Sequence, residues 1–241
     1  MARKLKVDNH VQKWRNRDKV SRVERARFTR KYILIVCEGA KTEPNYFLSF
    51  RDSLPTGVLE VYSFNIQGAG RNTESLVKES LRSRDEWQDF TGRPIDKLWV
   101  VFDKDSFTAQ SFNNAVAACN RLNPQVIAAW SNEAFELWYL LHFIYFDNAI
   151  HRSEYQRMLE EQLSQRIGRK FTYEKNSKEM FALLQEYGDQ DFAIRNAERL
   201  ERKYGARQDY AEHNPRTKVF EIANEFNELI EKYKAPEEDE I

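Results

Sequence analysis

The chain has 241 residues, 41% hydrophobic and 13% aromatic, which suffices for one generous domain or a domain with a small companion. At 32% charged it is expected to be soluble, and no apolar run reaches the ~18 residues that a membrane-spanning helix needs. Lys+Arg and Asp+Glu balance at 38 each, so net charge alone names no class of partner.

That balance hides an asymmetry. Residues 1–31 carry twelve basic residues against three acids, whereas the chain finishes on Glu237-Glu238-Asp239-Glu240. Residues 1–30 are read as a basic arm, which either meets phosphate backbones or is a solvated terminus. It lacks the apolar stretch of a signal peptide. Cys37 and Cys119 sit within apolar patterns and read as reduced core thiols, so a cytoplasmic location is expected.

From residue 32 to 146 strand-like runs alternate with helical patterns. The first strand is 32–37. Gly39-Ala40-Lys41-Thr42-Glu43-Pro44 follows, with Pro44 suited to a first helical turn and Tyr46, Phe47 and Phe50 at helical spacing. A second strand is expected within Val58–Ile66. After Gly68-Ala69-Gly70-Arg71-Asn72 comes a helix with Leu76, Val77, Leu81 and Trp87 on one face. Strand three is 98–102, and the next helix carries Phe112, Ala115, Val116, Cys119 and Leu122. Strand four, Val126–Trp130, runs through Ser131-Asn132-Glu133 into a long apolar helix, Ala134–Phe146. Strands separated by helices imply crossovers and a parallel sheet, hence an α/β domain over 31–150. Beyond it, 151–241 reads as a helical extension packed on the core. Its stripes are Tyr155–Ile167, Met180–Tyr187, Ala193–Leu200 and Val219–Ile230.

Sites in such folds form beyond the carboxyl ends of the strands. Two of these ends are acidic: Glu38 after the first strand, and Asp103-Lys104-Asp105 after the third. Carboxylates brought that close repel unless a cation neutralises them, and Mg²⁺ takes oxygen ligands together with substrate phosphate. Asp103 and Asp105 are candidate ligands; Glu38 is a candidate ligand or general acid/base. Helix capping explains one acid at such a position, but not two with a third on another strand. Lys104 points away or reaches toward phosphate. Arg71 and Lys41 are further candidate phosphate contacts, with a plain turn and a surface lysine as their bland readings. His10, His142, His151 and His213 lack metal-site spacing. Trp130, Trp138, Tyr139 and Phe143 read as core.

Glu-Gly after a first strand and Asp-x-Asp after a later one resembles the Toprim domain of topoisomerases, DnaG-type primases and OLD-family nucleases. Three blocks narrow the likeness: Glu38–Phe47, Asp103-Lys104-Asp105 and Ser131–Phe143. With Asn214-Pro215 before the last apolar helix, they resemble the RloB family over about residues 30–235. The resemblance implies a four-stranded parallel sheet between helices that binds one or two Mg²⁺ or Mn²⁺ ions. It implies a nuclease acting on DNA or RNA in bacterial antiviral defence of the abortive-infection kind, often beside an ATPase partner. It leaves open a non-catalytic regulator that binds metal or nucleic acid, and leaves oligomerisation open. By position it makes Glu38, Asp103 and Asp105 the catalytic and metal-binding acids. Glu43 and Glu136 become candidates for a second ion, and Ser131 a phosphate contact lining the site. Ser131 and Asn132 read equally well as helix caps. One departure stands out: Glu133-Ala134 replaces the expected proline after Ser131-Asn132.

Overall fold

The computed structural model describes residues 30–68, 73–105, 107–122 and 125–233. The basic arm up to residue 29, Arg71 with its turn, and the acidic tail lie outside the described residues.

In chain order the elements are β1 (Lys31–Cys37), α1 (Thr42–Asp52), α2 (Thr56–Val61), β2 (Tyr62–Gly68), α3 (Thr73–Thr91), β3 (Lys97–Asp103), α4 (Ala109–Asn120) and β4 (Val126–Asn132). They continue with α5 (Glu136–Leu141), α6 (Arg152–Ile167), α7 (Met180–Tyr187), α8 (Gln190–Tyr204), a 3₁₀ turn (Tyr210–Glu212), β5 (Arg216–Thr217) and α9 (Val219–Tyr233). The sheet order is β2-β1-β3-β4-β5; the first four strands are parallel and β5 is antiparallel to β4. Helix-bearing crossovers force that arrangement, because parallel neighbours cannot be joined by tight turns.

Strand parity assigns the core. Leu34, Val36, Leu98, Val100, Phe102, Val126, Ala128 and Trp130 face α3 and α4, meeting Leu76, Val77, Phe112, Val116 and Cys119. Ile33, Ile35, Cys37, Trp99 and Val101 face the other way, against α1, α5 and the later helices. Continuous buried runs such as Ile33–Cys37 follow from a sheet covered on both faces. The helices beyond residue 151 contribute Tyr155, Leu159, Leu200, Phe220 and Phe226 to the second cluster, so they share its core with the sheet. Tyr46 sits at its centre: its hydroxyl accepts from Trp138 Nε1 at 2.8 Å, and its ring makes edge contacts with Phe47, Phe50, Phe135 and Phe181. This contact clamps α1 against α5, and both helices begin next to the strand-end acids. Truncating a buried aromatic of this kind typically costs about 3–5 kcal/mol.

Several expectations need correcting. The sheet gains a fifth, two-residue strand. The second strand starts later than Val58, because Pro55 opens a helical turn in which Val58 and Leu59 N–H both bond Pro55 O. The apolar run Ala134–Phe146 is helical only from Glu136 to Leu141; there the chain turns, and Asp189 N–H takes His142 O. Leu122 lies past the end of α4 and is 40% exposed. Ser131 and Asn132 are strand residues rather than helix caps: they pair with Thr217 and Arg216 of β5. Trp130, Trp138, Tyr139, Phe143 and His142 are buried, as expected. Both cysteines are buried free thiols. Among the described residues no helix is long and apolar enough to cross a membrane.

Candidate metal centre

β1 and β3 deliver their terminal acids side by side. Glu38 continues the ladder, its N–H bonding Val101 O at 2.8 Å, and its Oε2 accepts from Asp103 N–H at 3.2 Å. Asp103 Oδ2 accepts from Phe135 N–H at 3.0 Å, which ties β3 to the chain leading into α5. Glu43, in the first turn of α1, is 6% exposed, and Glu136, in the first turn of α5, is 2% exposed.

Gly39 explains how Glu43 reaches this place. A β-carbon at residue 39 would lie 2.1 Å from Glu43 Oε2, so the carboxylate packs directly on the glycine backbone. Gly68 serves the same corner: a β-carbon there would come within 2.7 Å of Ala40 Cα and Gly39 O. The glycine after β1 thus leaves the space that the Glu43 carboxylate fills, and the spacing from Glu38 to Glu43 follows from one tight turn into α1.

Glu38, Glu43 and Asp103 all resist ionisation. Burial, opposed by the Asp103 N–H and reinforced by Glu43 and Asp105, raises Glu38 to about 7. Burial and Glu136 raise Glu43, while Lys175 and Arg152 pull it back. Burial, then Glu43 and Glu136, hold Asp103 well above the usual carboxylate range. Two carboxylate oxygens, Asp103 Oδ1 and Glu43 Oε2, are buried without a hydrogen-bond partner. Buried acceptors are normally satisfied, so orphans on mutually repelling acids call for positive charge at that spot.

The donor set fits a hard divalent ion. It is all oxygen, and Mg²⁺ or Mn²⁺ needs only one or two carboxylates with water and phosphate completing the shell. Asp103 and Glu43 offer the free oxygens, with Glu38 and Glu136 beside them. The fit is not that of a finished cage: among the described residues no three His, Cys, Asp or Glu side chains stand ready to share an ion. Asp105 is occupied differently. Its carboxylate pairs with the Arg152 guanidinium, and its backbone, at φ 26°, is held by an N–H bond to Glu133 O at 2.9 Å.

Of the proposed phosphate contacts, Lys41 is exposed at the N-cap of α1 and Lys104 is half-buried between the two aspartates. Ser131 is not placed for phosphate: it is 1% exposed, and its hydroxyl is taken by Thr217 Oγ1 at 3.0 Å.

The site also contains residues that the linear reading missed. Tyr173 donates its hydroxyl to Glu136 Oε1 at 3.2 Å, and Gln156 Nε2 reaches the same oxygen at 3.4 Å. Asn176, at φ 75°, accepts from Thr42 Oγ1 at 3.0 Å and, through its carbonyl, from Asn45 Nδ2 at 2.9 Å. These bonds bring the loop between α6 and α7 over the start of α1, with the Lys175 ammonium close enough to act on Glu38 and Glu43. Glu133 Oε2 accepts from Arg152 N–H at 2.9 Å and so caps α6. Apart from Glu133, whose place after Ser131-Asn132 already stood out, nothing in the local sequence marks these residues as part of the site.

No curated protein and no solved structure matches the chain. The sequence model of the RloB-like protein family matches residues 33–226, a span containing both acidic strand ends, α5 and Arg152. The chain belongs to the RloB-like protein family.

Proposed function

We propose that this pocket hydrolyses phosphodiesters of DNA or RNA with Mg²⁺ or Mn²⁺, in the manner of a Toprim nuclease. The observation that carries the reading is the pair of orphaned buried oxygens, Asp103 Oδ1 and Glu43 Oε2, within a group of acids that burial and mutual repulsion keep from ionising freely. Asp103 and Glu43 would hold the ion, with Glu136 steadied beside them by Tyr173 and Gln156. When bound, one or two divalent ions would supply the positive charge that draws in a phosphodiester and makes its phosphorus easier to attack.

Glu38 suits proton transfer. Held at about 7, it is divided between acid and base near neutrality, where a group accepts and returns protons most effectively. It would take a proton from the attacking water as the new P–O bond forms, and the leaving oxygen would collect a proton as its bond to phosphorus breaks. The exposed Lys175 supplies a cation that acts on Glu38 and Glu43, while Lys104 and Lys41 are retained as candidate phosphate contacts. The defence setting and an ATPase partner from a neighbouring gene are inferred from the resemblance, and a cytoplasmic location from the two reduced thiols.

The direct test incubates the protein with circular DNA, linear DNA and RNA in Mg²⁺ and in Mn²⁺, alongside Asp103→Ala. Cleavage is expected for the wild type and is expected to vanish in the variant. No cleavage of any substrate, or cleavage that survives the substitution, sinks the nuclease reading. A second reading, a regulator that binds metal or nucleic acid without cutting, is favoured by one observation: Asp105 is already neutralised by Arg152. It predicts ion or nucleic-acid binding that depends on Asp103 with no product formed.

A further inference from the structure

Arg152 is oddly placed for an ordinary structural arginine. It is the first residue of α6, where the helix dipole disfavours a cation. Its backbone N–H donates to Glu133 Oε2, and the guanidinium, which has only donors, plays no part in capping the helix. That guanidinium leaves the helix and pairs with Asp105, and the charges of Glu136 and Asp103 also act on it. With Lys175 it is one of two cations that act on the acids carrying the unpartnered oxygens, and the one already paired with a carboxylate of the Asp103-Lys104-Asp105 strand end.

The two members of the pair differ in freedom. The Asp105 backbone is pinned by Glu133 O, and Lys104 N–H is pinned by Ser131 O at 2.8 Å. The Arg152 side chain is long and 23% exposed, and only its tip is engaged with Asp105. A change of partner at this rim is therefore made by the arginine.

We infer that Arg152 is an internal stand-in for the divalent ion: it occupies Asp105 while the site is empty, yields that carboxylate when an ion enters, and then turns its guanidinium to the substrate phosphate. A planar guanidinium suits both roles, since its fork fits a carboxylate and a phosphate alike. The device holds a repulsive site together before loading and releases a phosphate clamp only after it. It rests on the metal-dependent phosphodiesterase reading, but its ion-exchange half can be tested without any cleavage.

The test measures Mn²⁺ binding by calorimetry for the wild type, Arg152→Gln, Asp105→Asn and the double variant. Releasing a partly exposed ion pair should tighten Mn²⁺ about two- to fivefold in Arg152→Gln. In the Asp105→Asn background the same substitution should change little, because there is no carboxylate left to release. Weaker or unchanged Mn²⁺ affinity overturns the inference. So does equal tightening in both backgrounds, which would be a general charge effect. In wild-type protein the arginine Nε–H resonance that Arg152→Lys removes should move during a Mg²⁺ titration, in step with binding. A resonance that stays fixed overturns the inference even if Arg152→Gln fails to fold. Cleavage by Arg152→Gln should fall about a hundredfold despite tighter ion binding, the usual scale for losing one charge-stabilising donor. Unchanged cleavage overturns the phosphate role. If the wild type binds Mn²⁺ with these affinities but cuts nothing, the nuclease reading and the phosphate role fail together, while the ion-exchange half stands.

Discussion

Replacing Glu38 with Gln gives the sharpest check on the electrostatics of this site. The carboxyl is raised from an ordinary 4.5 to about 7, chiefly because burial penalises its charged form. In the folded protein it therefore keeps its proton over a range where the unfolded chain has lost it. The folded state binds more protons between pH 4.5 and 7, so without metal the stability falls as pH rises through that window. The full shift corresponds to about 3 kcal/mol, and the remaining solvent contact of this half-buried side chain trims it to about 2–3 kcal/mol. Glutamine cannot ionise, and its side-chain oxygen can still accept from Asp103 N–H. Glu38→Gln should thus gain on the wild type by about 2–3 kcal/mol between pH 4.5 and 8, or about 4–12 °C in Tm for a chain of this size. The assay is thermal or urea unfolding in chelator across that pH range. Asp103 and Glu43 titrate in the same direction in both proteins, so the difference between them reports Glu38 together with its repulsion of these neighbours. A difference that stays flat from pH 4.5 to 8 would show that the carboxyl is not held away from water, and the proton-transfer role would lose its basis.

Three further outcomes follow from the packing around the site. Gly39→Ala should still fold, because its new methyl meets only the end of the Glu43 side chain, but Mn²⁺ affinity measured by calorimetry should drop about tenfold or more as that carboxylate is expelled. Gly68→Ala meets backbone instead and should cost about 1–3 kcal/mol in urea unfolding. Ellman's reagent should find no reactive thiol in the native protein and two in denaturant. Cys37 and Cys119 are fully buried, with Cys119 pushed up to about 12 and Cys37 raised first by burial and then by Glu43 and Asp103.

Much of the α/β domain was legible in the sequence because its signals are local. The runs 32–37, 98–102 and 126–130 are apolar without interruption, which only a strand buried on both faces requires, and the helical stripes between them impose crossovers. Glu38 and Asp103 were legible for the same reason: acids at the ends of such strands have nowhere to go but the site edge. Residues governed by distant partners were not legible. Arg216-Thr217 is too short for any alternation to show, and becomes a strand only because the edge of β4 is open beside it. Ser131 carries a capping side chain, yet pairing with Thr217 wins over the local preference. Val58 looks strand-like by type, but Pro55 starts a helical turn beneath it. Tyr173, Lys175 and Asn176 reach the site through a loop held by Thr42 and Asn45, and no periodicity reports such a contact.

The charge balance of the pocket says what must compete for it. Glu38, Glu43, Asp103, Asp105 and Glu136 carry five potential negative charges, while Arg152 and Lys175 are the cations shown to act on these acids. Some further positive charge is needed, and only protons or metal ions can provide it without changing the chain. At low pH protons suffice, because Glu38, held at about 7, and Glu43 and Asp103, both raised, hold them more tightly than ordinary carboxyls. An entering ion must displace whichever of those protons remain, so binding Mg²⁺ or Mn²⁺ should release protons and strengthen with pH. Calorimetry of Mn²⁺ binding in buffers of different ionisation enthalpy reads the protons released directly. Release is expected at pH 6.5, and the share that comes from Glu38 should be lost as pH rises past about 7. Binding that releases none at either pH would mean that the ion sits elsewhere, and the carboxylate pocket would no longer qualify as the metal centre.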